Sequence, residues 1–273
     1  MIKGKPSYPF HTVALAVAFN SELNFLVGEL KRISESHASM AIFIHAGKRT
    51  GEKFRELSTI MNKHGFHDGN SRIYWEQGPA ANAILQICKH EVVDLLIVGL
   101  SERSSFSLPV GSLTTELSQK AKCTLLIYGK ETSDFNRVYV DALDHRKTDH
   151  TLMTALYFGE RMKAKEMVVL DASLRYEKLS SASNVYPSNE ENESVFSMAV
   201  NRSGVEITVV PSNENNFKDI LALSQEGQAD LIVINSIDHH LKIFDRITTD
   251  QIGKVLSDLN CNLMIVHSRL KEV

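Results

Sequence analysis

Two stretches of this chain repeat each other at a nearly constant distance, and a duplicated unit limits the fold more than any other feature of the sequence. Asp94-Leu-Leu-Ile-Val-Gly99 recurs as Asp230-Leu-Ile-Val-Ile-Asn235, 136 residues on. Ala121-Lys-Cys-Thr-Leu-Leu-Ile127 recurs as Leu259-Asn-Cys-Asn-Leu-Met-Ile265, 138 residues on. Each copy therefore closes with a strand, a helix and a strand, and the small change in separation falls in the connection between them. The boundary lies at the short polar segment 131–134, which predicts domains over 1–131 and 134–273. With 273 residues, 43% of them hydrophobic, the chain has enough apolar material for two ordinary cores.

The first copy opens with the apolar run 13–17, suited to a central parallel strand buried on both faces. A helix follows, with Ser21 as its expected cap and Leu23, Leu26, Val27, Leu30 and Ile33 on one face at helical spacing. Residues 40–44 read as the second strand, and a helix over 52–63 ends at His64-Gly65, where glycine accepts a left-handed turn. Residues 72–76 read as a weaker strand near the sheet edge. Gly78-Pro79 then starts a helix carrying Ala83, Ile84, Ile87 and Cys88. The strand 95–98, a helix and the strand 125–128 complete five strands and four helices. Alternating strands and helices with short connections imply a doubly wound parallel sheet in each copy, flanked by helices. The second copy repeats the order with strands over 138–140, 167–170, 206–210 and 231–234 and helices over 152–162 and 217–224. Its long polar loop, 175–194, is rich in Ser, Asn and Glu and reads as disordered, the alternative being a lid.

Net charge of −3 and a pI near 6.4 supply no basic stripe, so neither nucleic acid nor anionic lipid is an expected partner. No apolar run reaches the length of a membrane span, and MIKGKPSYPF at the amino end lacks the core of a signal peptide, which leads to the expectation of a cytoplasmic protein without membrane insertion. Cys88, Cys123 and Cys261 are odd in number and sit in apolar segments, as reduced core thiols do. The eleven histidines include His64 with His67, His145 with His150, and His239-His240, none in a ligand pattern. No nucleophile elbow, Walker loop or Cys-x-x-Cys pair occurs, and the sequence offers no catalytic residue and no metal site.

A strand followed by a glycine-bearing loop and a helix start is where an open parallel sheet binds phosphate, and Gly99 to Gly111-Ser112 has that form. Together with the order of elements, Gly78-Pro-Ala-Ala-Asn-Ala-Ile-Leu85 before a helix and the Asp94-Leu-Leu-Ile-Val-Gly99 strand, it resembles the universal stress protein family over nearly the whole chain, as two tandem domains. The resemblance implies an adenine nucleotide alpha-hydrolase-like fold, five parallel strands per domain, a stress role in the cytoplasm, and pairing of the two domains through their last strands as an intramolecular pseudo-dimer. Whether whole chains also form a homodimer stays open, with Arg269 and Lys271 flanking the last strand.

The family's phosphate loop reads glycine, two residues, glycine, nine residues, glycine, then Ser or Thr. Here Gly99 fits, Glu102 replaces the second glycine, and Gly111-Ser112 arrives one residue early. A carboxylate at 102 repels phosphate where a glycine would let backbone N–H groups approach. The family's acidic residue after the first strand is absent, since Ala18-Phe19-Asn20 occupies that turn. Phe19 either stacks on a base or simply packs, and Ser112 either bonds a phosphate or caps its helix. The second copy is further from the pattern: Asn235 and Asp238 align with Gly99 and Glu102, and Thr249-Asp250 with Gly111-Ser112, although Asp141 and Asp171 end its first two strands. The candidate nucleotide site is therefore Ala18, Phe19, Asn20, His45, Gly47, Gly99, Gly111 and Ser112, all in the first domain. ATP or another adenine nucleotide is the candidate ligand, with Mg²⁺ only if a nucleotide binds. The expected function is a non-enzymatic stress-response or signalling module with a weakened adenine-nucleotide site. The alternative is an ATP-binding protein with slow hydrolysis through the loop from Gly99 to Ser112. A third reading, a ligand with fewer phosphates or a lipid-like one, also stays open.

Overall fold

The computed structural model describes residues 10–100, 112–129, 135–141, 148–171, 204–211, 222, 226, 229–235 and 261–267. The loop 175–194 lies outside these residues, as do Glu102, Gly111, Asp238, Thr249 and Asp250, and so does the helix expected over 217–224 except for Ala222. The chain divides into two compact units, Met1–Ser133 with Ser236–Val273, and Asp134–Asn235.

In the first unit the elements are β1 (Thr12–Ala16), α1 (Leu23–His37), β2 (Met40–Ala46), α2 (Gly51–Lys63), β3 (Ser71–Glu76), α3 (Ala80–His90), β4 (Leu95–Gly99), α4 (Ser112–Lys120) and β5 (Thr124–Tyr128). The strands lie in the order β3-β2-β1-β4-β5 and are parallel throughout, with β3 at the edge. The winding reverses between β1 and β4, which makes the carboxyl ends of those two strands the natural crevice. The central strands are apolar on both faces because helices cover both: Val13, Leu15, Ile42, Phe43, Leu96 and Leu126 are all fully buried.

Helix α1 buries the face read from its periodicity, and Glu29, Ser34 and His37 are buried with it. Ser21 does not cap this helix. Asn20, Ser21 and Glu22 form a turn in which the Leu23 N–H reaches the Asn20 carbonyl at 3.2 Å. Glu22 becomes the residue before the helix, at φ −79° and ψ −14°, with no side-chain cap. Helix α2 is capped by Thr50, whose hydroxyl accepts from the Lys53 N–H at 3.3 Å, and it closes on Gly65 at φ +73°.

The second unit holds β6 (Arg137–Asp141), α5 (Thr148–Arg161), β7 (Glu166–Asp171), β8 (Glu206–Pro211) and β9 (Leu231–Asn235). Its strands run in the order β9-β6-β7-β8, all parallel. The last strand of the second repeat, β10 (Asn262–Val266), belongs to the first unit, where it pairs antiparallel with β5.

The duplicated aspartate has a structural task. Asp94 Oδ2 accepts from the backbone N–H groups of His11 (2.9 Å) and Thr12 (3.0 Å), tying the start of β4 to the start of β1. Asp230 Oδ2 does the same for the Arg137 N–H at 3.0 Å, at the start of β6. The three cysteines are free and buried. The Cys88 thiol lies against that of Cys123, and this hydrogen bond together with burial pushes its pKa far up, as befits an inert core thiol.

Candidate functional site

The crevice is built at the carboxyl ends of β1, β2, β3 and β4. The Val17 N–H bonds the Ile44 carbonyl at 2.8 Å, which carries the β1–β2 pairing one residue beyond the strand before the chain turns away. That turn leaves Ala18 exposed and Phe19 and Asn20 half-buried at the rim.

His45, near the end of β2, is 7% exposed. Its Nδ1 lies 3.0 Å from the Val17 carbonyl, which accepts and so fixes the ring proton on Nδ1. The Nε2 lone pair then faces the Lys53 ammonium, which donates to it at 3.4 Å from the first turn of α2. Gly47 turns the chain above this ring: its N–H bonds the Glu76 carbonyl at 2.8 Å, and a Cβ at this position would sit 2.9 Å from His45 Nε2. Glycine is needed here because the histidine fills the space a side chain would take.

The β2–β3 register sets Trp75 beside His45. Phe19 and Trp75 then stand nearly parallel, 19° apart in plane, with centroids separated by 6.1 Å. His45 lies across the gap between them, edge-on to both, at 4.9 Å from each centroid. The three rings form a slot with two walls and a floor. The Lys53 ammonium stands at its rim, 5.2 Å from the Phe19 centroid.

The Gly99 end of the crevice has a different character. A Cβ on Gly99 would lie 2.7 Å from Glu22 Oε2 and 2.8 Å from Leu26 Cδ1. The turn that moves the start of α1 past Ser21 therefore delivers a carboxyl group onto the strand end where a phosphate cradle would begin. Of the residues singled out from sequence, Phe19, His45 and Gly47 come together in the slot, with Ala18 and Asn20 beside them on the same turn. Gly99 lies in the same crevice against α1, Ser112 begins α4, and Gly111 is outside the described residues.

Trp75, Lys53 and Glu22 were not legible as site residues. Trp75 enters through sheet register, Lys53 through the rotation of α2, and Glu22 through a late helix start. Among the described residues the slot has the form to take a planar ring, and the Gly99 end of the crevice holds the Glu22 carboxyl group.

Elsewhere, His64 and His67, paired in the sequence, make local bonds. His64 bonds Asn24 Oδ1 at 3.3 Å, and burial holds its pKa below the usual value, while His67 accepts from the Gly69 N–H at 3.1 Å. Among the described residues no His, Cys, Asp and Glu side chains cluster as metal ligands, and no helix is long and apolar enough to cross a membrane. A groove of about 320 Å³ between α2 and β3, lined by Phe54, Met61, Phe66, His67, Arg72 and Ile73 among others, lies at the opposite end of β3 from the crevice.

Residues 31–129 match the Universal stress protein family model. No curated protein matches the sequence. The fold is similar to that of a universal stress protein from Archaeoglobus fulgidus DSM 4304, with a TM-score of 0.67 and 14% identity over 96% of this chain and 100% of that one. It is also similar to a functionally unknown protein from Pseudomonas aeruginosa PAO1, with a TM-score of 0.64 and 13% identity over 94% and 92% of the two chains. At these identities the likeness is one of fold.

Proposed function

We propose that this chain, whose residues 31–129 match the Universal stress protein family model, is a member of that family and a cytoplasmic stress-response or signalling module without catalytic turnover, its ligand site confined to the first repeat and weakened toward ATP. The observation that carries this reading is the Glu22 carboxyl group against Gly99, with Oε2 2.7 Å from the space a Cβ would occupy. A carboxylate about 4 Å from a phosphate opposes it by roughly 1 to 4 kcal/mol between water-like and surface dielectric. Glu102, in the loop that follows, adds a second acidic side chain to the same segment.

The slot of Phe19, His45 and Trp75 supports retention of a base-sized planar ring, and Mg²⁺ enters this reading only with a nucleotide. The β5–β10 pairing supports the intramolecular pseudo-dimer. Leu126 lies opposite Met264, its own counterpart in the repeat, while Ile127 meets Leu263 and Leu125 meets Ile265. That register is self-complementary under the duplication, as an isologous strand pair requires.

Phosphate release from ATP by the full chain tests the reading. It predicts no turnover above a protein-free blank; turnover that disappears in Gly99→Asp would favour slow ATP hydrolysis through the loop from Gly99 to Ser112 instead.

A further inference from the structure

We infer that the first-repeat crevice has its polarity reversed: it takes a planar aromatic ring bearing a single anionic group, and that group is anchored on Lys53, on the α2 side, rather than on the glycine loop after β4. The inference rests on the proposed ring site and deepens it by naming the ligand class.

Charge separates the two ends of the crevice. At Gly99 the nearest side-chain atom to the absent Cβ is the Glu22 carboxyl oxygen. Across the slot stands the Lys53 ammonium, and the β2–α2 connection adds exposed Lys48 and Arg49, offset in part by exposed Glu52. A ligand whose ring enters between Phe19 and Trp75 meets a carboxyl on one side and an ammonium on the other. Its anionic group is drawn to the ammonium.

Lys53 is held ready for this. Because Val17 fixes the His45 proton on Nδ1, Nε2 is an acceptor, and it takes one of the three ammonium N–H bonds at 3.4 Å. The Phe19 face at 5.2 Å favours the cation in the same place. Two ammonium donors remain for a carboxylate or phosphate oxygen. A planar ring sandwiched between two others requires walls about 7 Å apart, two contacts of ~3.5 Å, and the Phe19 and Trp75 centroids are 6.1 Å apart. The turn carrying Phe19 therefore has to yield by at least roughly 1 Å.

A triphosphate is disfavoured by the same arrangement, since one ammonium cannot match its charge and the remaining phosphates run toward Glu22. A monophosphate or a carboxylate suffices.

The test uses adenosine, AMP and ATP with Mg²⁺ as probes of ring alone, ring with one anionic group, and ring with three. Binding to the full chain is read by fluorescence of Trp75, the single tryptophan of the sequence, and by calorimetry. AMP is expected to bind about tenfold tighter than adenosine and tighter than ATP. Lys53→Gln should abolish the preference for AMP over adenosine, and Lys53→Arg should keep most of it, with circular dichroism confirming that each variant is folded. If ATP binds tighter than AMP, or if Lys53→Gln leaves AMP unchanged, the polarity inference is overturned while the ring site stands. If none of the three changes Trp75 fluorescence or releases heat at millimolar concentration, the ring site and the inference fall together.

Discussion

Replacing Asp94 isolates what holds the first unit's sheet in register. One carboxylate oxygen, Oδ2, accepts from His11 N and Thr12 N at 2.9 and 3.0 Å, and Asp94 is 6% exposed. The Asp94 backbone makes two further bonds, N–H to the Thr12 carbonyl (2.9 Å) and carbonyl from the Thr124 N–H (3.0 Å), which any side chain leaves intact. Asp94→Ala therefore removes two charge-assisted hydrogen bonds, each worth about 1.5 to 3 kcal/mol, and strands two part-buried donors. Water reaches some of that space, so a net loss of about 3 kcal/mol is expected, a large share of the 5 to 15 kcal/mol typical of a domain.

Asp94→Asn is the control. Its amide oxygen can still accept from both N–H groups as a neutral acceptor, and the loss should fall to about 1 kcal/mol. Urea unfolding followed by Trp75 fluorescence reads the first unit, because β3 carries that residue. With a slope of about 1 to 3 kcal/mol per molar urea, the alanine variant should move the midpoint down by roughly 1 to 3 M. Equal losses in the two variants, or a loss below about 0.5 kcal/mol in Asp94→Ala, would refute the assignment of the carboxylate as the pin.

Other consequences are equally direct. Glu22→Gln, which removes the charge beside Gly99 while keeping the shape, should strengthen ATP binding about tenfold by calorimetry; no gain would show that the carboxyl group does not close the phosphate end. Gly129→Ala would drive a Cβ to 2.4 Å from the Cys261 carbonyl oxygen, so its Tm should fall by several degrees in calorimetry, and an unchanged Tm would mean the β5–β10 junction shifts freely. The Tyr74 hydroxyl at 2.6 Å, with His90 and Arg72, holds the Glu91 carboxyl below its usual 4.5, and the same hydrogen bond raises Tyr74 above 10. The depressed acid stabilises above pH 4.5 and loses that contribution as pH falls through its folded value; the raised phenol contributes fully below pH 10 and loses it as pH rises through its folded value. Thermal unfolding from pH 3 to 11 should therefore show two weak declining limbs, both flattened in Glu91→Gln.

The frame was written openly in the sequence. Strand runs three to five residues long, separated by helices with one apolar face, gave the alternation of elements and set residues 72–76 near the edge, and Gly65 stood where a left-handed turn was needed. The duplication exposed Asp94 and Asp230 as paired positions, though not what they do, because an aspartate before a buried strand reads equally as turn or ligand. The site was legible only in part. Phe19, His45 and Gly47 follow from the rule that ligands sit beyond strand ends. Trp75 lies 30 residues from His45 in the chain and meets it only through a parallel register that no local pattern fixes. Glu22 escaped notice because Ser21 is the better cap by propensity. The Asn20 carbonyl satisfies the Leu23 N–H instead, and the helix starts one residue later than the cap would place it.

The two repeats kept the pin and parted over the slot. Val13 pairs with Leu95 and Ala41 in the first repeat, and Val138 with Leu231 and Met167 in the second, which aligns the strands residue by residue. Counting along the aligned strands, His45 corresponds to Asp171, and Trp75, opposite His45, corresponds to Pro211, opposite Asp171. At the strand positions of His45 and Trp75 the second repeat thus has Asp171 and Pro211, neither an aromatic residue. Proline at the end of an edge strand has its own use, since it withholds the N–H that would invite another strand. The equivalent of Asp94, by contrast, is Asp230, with the same carboxylate-to-backbone bond. The carboxylate that ties strand starts together is present in both repeats because both sets of parallel strands need it, whereas the three aromatic rings belong to the first alone. On the proposed reading the first repeat is therefore where a ligand should be sought.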